Sequence, residues 1–113
     1  MNIEALERLG HALAACEAVA GFCEGKTRGD YLADGLLRSA VERQFEIIGE
    51  ALNRASQLDE TVESLVPELR RIVGMRNRII HGYDSVDDEL IWSIVQDRAG
   101  QAPVAAGHLG HAA

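Results

Sequence analysis

A chain of 113 residues, 47% apolar and 26% charged, has the length and composition of one ordinary globular domain. Its formal charge of −7 argues against a general nucleic-acid binder, and no run of about eighteen uncharged apolar residues suggests a membrane span. The two cysteines, Cys16 and Cys23, lack the spacing of a zinc site and stand too far apart on a helix for a disulfide. No metal and no cofactor are therefore expected. With no signal-peptide pattern at Met1-Asn2-Ile3-Glu4, a cytoplasmic location is expected.

Scarce aromatics (4%) and only 2 prolines favour helices over a β-sandwich. The first helix is expected from Ile3 to Glu24, with Leu6, Leu9, Leu13, Cys16, Val19, Ala20 and Cys23 at steps of three and four along one stripe. Gly25 is its natural stop, and Lys26 to Asp30 reads as a connection. The second and longest helix runs from Asp30, its expected N-cap, to Leu58. Its stripe is Leu37, Ala40, Val41, Phe45, Ile48, Ala51, Leu52 and Ala55. Ser56 to Ser64 is a polar connection with room for a short helical turn.

A third helix opens near Pro67 and continues through Leu69, Ile72, Val73, Met75, Ile79 and Ile80 to His81, with Gly82 at C′. A fourth, from about Val86 to Asp97, places Asp87, Asp88 and Glu89 favourably in its first turn. Residues 1–98 thus form an all-α domain, a four-helix antiparallel bundle. Residues 99–113, rich in Ala, Gly and His without periodicity, read as a flexible tail.

Charge is unevenly spread. Val66 to Tyr83 carries Arg70, Arg71, Arg76 and Arg78 against the single acid Glu68, whereas Asp84 to Arg98 carries five acids and one arginine. Such a basic strip suits a phosphate backbone, and it equally suits an exposed helix face. Within it, Gly74-Met75-Arg76-Asn77-Arg78-Ile79-Ile80-His81-Gly82-Tyr83 brings a permanent cation, an imidazole and a phenol together at a helix end.

Metal-free RNA cleavage needs a base for the 2′-hydroxyl, a cation for the phosphorane and an acid for the departing 5′-oxygen. Histidine titrates in the right range for the first or last task, and a guanidinium grips phosphate in two places. Arg76 and His81 are separated by about 140° around an ideal helix. One helix presents the pair awkwardly to a single phosphate, while a two-fold dimer could combine groups from both chains.

Arg76-Asn77-x-x-x-His81 resembles the R-x(4–6)-H motif of HEPN ribonucleases, and its extension to Tyr83 resembles the R-x4-H-x-Y form of HepT toxins. Ala40 to Ala51 resembles the long-helix signature of that family, and Val86-Asp87…Ile91-Trp92 the segment after the motif. The likeness spans about residues 3 to 98 in order. It implies a HEPN-type helical homodimer, a composite RNA-cleaving site and a minimal nucleotidyltransferase antitoxin as partner.

Arg76 and His81 would then be catalytic, Asn77 would support the site, and Tyr83 would be the target of AMPylation, while the basic strip offers Arg70, Arg71 and Arg78 for binding RNA. Bulky, charged nucleotides beside the site would repel RNA. Leu69 stands where relatives often carry tryptophan, and the tail after Arg98 departs from the family's usual last helix.

Blander readings exist for each residue. His81 before glycine is a C-terminal helix cap, Arg76 an ion pair with Glu46 or Glu50, and Tyr83 a ring packed at a helix end. Trp92 reads as core or interface. The rival function is a non-catalytic helical module that docks a nucleotidyltransferase.

Overall fold

The computed structural model describes residues 1–80 and 87–96. Every regular element among them is helical: α1 (Ile3–Cys23), α2 (Arg28–Ala33), α3 (Gly35–Leu58), α4 (Thr61–Leu65), α5 (Leu69–Ile80) and α6 (88–96). The expected all-α bundle is therefore what the sequence builds.

The starts of α1, α2, α3 and α6 are fixed by side chains that accept from the free N–H groups of a first turn. Asn2 Oδ1 accepts from Ala5 N at 3.1 Å, Asp34 Oδ1 from Leu37 N at 3.1 Å, and Asp87 Oδ1 from Leu90 N at 3.0 Å. Thr27 and Asp30 form a reciprocal capping box, with Thr27 Oγ1 accepting from Asp30 N at 3.1 Å and Asp30 Oδ2 from Thr27 N at 2.9 Å. Gly25, at φ 74°, takes the left-handed turn that ends α1.

These caps alter one expected element. The single helix from Asp30 to Leu58 is divided at Asp34, whose extended backbone (φ −110°, ψ 97°) ends α2 and caps α3. Asp30 is the third residue of the capping box rather than an N-cap. Arg38 Nη1 donates to the carbonyls of Tyr31 and Leu32 at the end of α2, the former of which also accepts from Asp34 N at 3.3 Å. The third helix likewise starts at Leu69, two residues after Pro67.

α3 is the central helix, and its most extensive packing is with α1 and then α5. It buries Leu37, Val41, Phe45, Ile48, Ala51, Leu52 and Ala55. α5 contributes Leu69, Ile72 and Met75, and α6 contributes Ile91, Trp92, Ile94 and Val95. On α1 the buried face is Ala5, Ala12, Ala15, Val19 and Cys23, while Leu6, Leu13, Cys16 and Ala20 of the expected stripe are exposed. Small residues let α1 lie close along α3, so the stripe turns by part of a turn, leaving Leu6 and Leu13 outside and Leu9 half-buried against the core.

α6 is held at its first turns by α2 and α3. Trp92 stacks on Tyr31 with ring centroids 5.2 Å apart and 27° between planes. Arg38 Nε lies 3.5 Å from Asp88 Oδ2, and Arg28 pairs with Glu89. The expected tail, residues 99–113, lies outside the described residues, as do His81 and Tyr83. No helix among the described residues is long and apolar enough to cross a membrane.

Candidate functional site

The side of α3 that faces α5 is shaped by Gly49. A Cβ there would stand 2.4 Å from Arg76 Cβ and 2.8 Å from Arg76 Cγ, with the Ile72 carbonyl oxygen at 3.6 Å. The missing methyl group is thus the space through which the stem of Arg76 passes. The arginine runs along α3, its side chain only 16% exposed, and its Nη2 reaches Glu50 Oε2 at 3.0 Å. The buried Nε has no acceptor among the described residues. Glu50 is one of the two carboxylates the sequence offered as a partner; Glu46 instead pairs with Arg43 at 3.0 Å.

The other expected residues of α5 lie elsewhere on the helix. Asn77 is exposed beside Arg76. Arg70 is exposed and paired with Glu63 of α4. Arg71 and Arg78 are exposed too, flanking Gly74, whose surroundings are open. At about 100° per residue, Arg71 and Arg78 fall roughly 140° and 160° around the helix from Arg76. One face of α5 therefore holds the inward guanidinium and another presents the basic strip. His81 follows Ile80, the last residue of α5, and with Tyr83 belongs to the six undescribed residues that join α5 to Asp87.

The electrostatics along α3 are acidic next to this arginine. Glu42, Glu46 and Glu50 follow at four-residue steps. Burial and the nearby Asp88 carboxylate push the Glu42 carboxyl above its ordinary range, with Arg38 opposing and Glu46 adding to the rise. Burial also raises the Tyr31 phenol and the Cys23 thiol, which keeps both protonated at neutral pH. Among the described residues no group of three His, Cys, Asp or Glu could hold a metal ion. Arg76 can thus offer a fixed cation at the rim of the α3–α5 cleft, directly before the segment that carries an imidazole and a phenol.

Sequence reasoning missed Gly49 and Arg38. A glycine in a helix centre costs helix stability, about 1 kcal/mol against alanine, and that cost was the available signal of a close approach. Arg38 gave none, because its two carbonyl acceptors exist only once α2 has ended.

Residues 12–102 match the protein family described as ribonuclease HepT-like. Curated relatives include the candidate RNase TTE0752 of Caldanaerobacter subterraneus subsp. tengcongensis, 34% identical over 87 residues, which is 77% of each chain. A protein of Thermococcus cleftensis assigned as a ribonuclease HepT is 36% identical over 70 residues, 60% of this chain and 61% of the relative. The candidate RNase MJ1380 of Methanocaldococcus jannaschii is 30% identical over 87 residues, 75% of this chain and 77% of the relative. No solved structure gives a significant match. The matched span begins in α1 and runs beyond α6, taking in the α3–α5 cleft and the Arg76–Tyr83 segment, and on that span the chain belongs to the ribonuclease HepT-like family.

Proposed function

We propose that this protein is a metal-independent endoribonuclease that acts as the toxin of a toxin–antitoxin pair. The observation that carries the reading is the placement of Arg76: a guanidinium fixed between two helices, five residues before His81 in the sequence, in a chain of a ribonuclease family. One His81 removes the 2′-hydroxyl proton, and the 2′-oxygen attacks the adjacent phosphorus. Arg76 neutralises the charge that builds on the phosphorane oxygens, and an acid protonates the departing 5′-oxygen. The products are a 2′,3′-cyclic phosphate and a 5′-hydroxyl end.

A homodimer supplies the second histidine as the acid, since a spacing of five residues suits Arg76 and one His81 poorly to a single phosphate on an ideal helix. Asn77, exposed beside Arg76, supports the site, and Arg71 and Arg78 hold the RNA backbone from the outer face of α5. Arg70 joins them only by releasing Glu63. A minimal nucleotidyltransferase antitoxin silences the enzyme by transferring AMP from ATP to the Tyr83 oxygen, with pyrophosphate leaving. The added phosphate then repels the RNA backbone.

One observation favours a second reading, a non-catalytic module that docks the nucleotidyltransferase: the Arg76 guanidinium is already engaged by Glu50, as a structural ion pair would be. The two readings separate in one assay. Cleavage of RNA in EDTA by the wild-type chain, lost by at least about 100-fold in His81→Ala and Arg76→Ala, is expected of the nuclease. A wild-type chain that binds its partner yet neither cuts RNA nor slows growth is the docking module.

A further inference from the structure

We propose that Gly49 and Glu50, neighbours on α3, are positioning residues for Arg76: the first admits its stem into the α3–α5 cleft and the second holds its guanidinium at the rim. The inference rests on the reading of Arg76 as the phosphate-binding cation. Its warrant is geometric. Any side chain at 49 would meet Arg76 Cβ at 2.4 Å and Cγ at 2.8 Å, and both atoms belong to the stiff base of the side chain, not to a free end that could swing aside. Either the two helices part or the arginine leaves its track.

Glu50 then sets where the track ends. Its oxygen lies 3.0 Å from Nη2, and with the Arg76 side chain 16% exposed, few other orientations are open to the guanidinium. A cation held before substrate arrives costs no reorganisation when the phosphorane forms. Glu50 itself is 67% exposed, so its carboxylate stays solvated and leaves the remaining edge of the guanidinium to the phosphate.

The test combines stability and turnover on the full chain. Gly49→Ala lowers the thermal midpoint by about 5 °C or more, as overpacking does. In an Arg76→Gly background the same change has less than about half that effect, because the atoms it meets are gone. In RNA cleavage under EDTA, Gly49→Ala lowers kcat on the order of 10- to 100-fold with KM nearly unchanged. Glu50→Ala moves kcat in the same direction, and Glu50→Gln recovers most of the loss because its amide oxygen still accepts from Nη2.

If Gly49→Ala proves too unstable to assay, the Glu50 pair and the double variant decide. Equal midpoint losses in the two backgrounds, or full kcat in Glu50→Ala while Arg76→Ala is inactive, would overturn the positioning role. Full cleavage by Arg76→Ala is a different result: it removes the nuclease reading of the arginine and the positioning role with it.

Discussion

Glu42 carries an electrostatic cost that can be measured. Burial, the Asp88 carboxylate and Glu46 outweigh Arg38 and raise its folded-state pKa above the ordinary glutamate range. Between those two values the folded chain binds more protons than the unfolded one, so stability falls as pH rises through that window. Above that window the ionised side chain is a net burden. Glu42→Gln is expected to raise the thermal midpoint there, and the gain should shrink as pH falls into and below the raised range. A gain that persists unchanged at acid pH would place its origin in packing. Asp59 has the opposite sign: hydrogen bonds from the Thr61 hydroxyl, the Thr61 N–H and the Asn2 N–H lower its pKa. Its contribution is present above the ordinary aspartate range and is lost as pH drops through the lowered value.

Among the elements, the join between α2 and α3 concentrates the most work in one side chain. Asp34 ends one helix and caps the next, so Asp34→Ala should cost about 1 kcal/mol in urea unfolding. Asp34→Asn, which keeps the acceptor, should cost less. The same join marks the limit of what periodicity reveals. The apolar stripe of α3 from Leu37 to Ala55 was readable because it recurs at three and four, and the structure buries all of it except Ala40, which is half-buried. The break at Asp34 was not readable, because Asp30 and Asp34 are equally good caps and only the Thr27–Asp30 box decides between them. In α1 the single stripe read from Leu6 to Cys23 was right at Val19 and Cys23, but Ala5, Ala12 and Ala15 are buried in place of Leu6 and Leu13. Close approach to α3, a long-range requirement invisible in the local sequence, selected the smaller side chains. At the site, Arg76 stood out by residue type and Glu50 was one of two candidate partners, whereas Gly49 depended on a helix 27 residues away.

For the whole molecule, the proposed nuclease divides the labour between the two faces of α5, affinity on one and turnover on the other. Arg71 and Arg78 are exposed and fall on the far side of α5 from Arg76 by helix geometry, so in the proposed nuclease they hold RNA without touching the scissile phosphate. Arg71→Ala and Arg78→Ala are expected to weaken RNA binding uniformly across sequences and to lower the slope of log affinity against log salt by about 1 each, with kcat preserved. Equal losses of kcat would instead bring both arginines to the reacting centre. Exposed Leu6 and Leu13 on α1, together with Ile80 at the end of α5, leave apolar area uncovered in the single chain.

The anchoring of α6 makes the last described helix a dependent of the first half of the chain. One ring stack and two ion pairs tie it to α2 and α3, through Tyr31, Arg28 and Arg38. A helix of nine residues has little stability by itself in water, so its order is borrowed from those partners. Loss of the Trp92 ring would therefore loosen a whole element and leave more than a local void beside Tyr31.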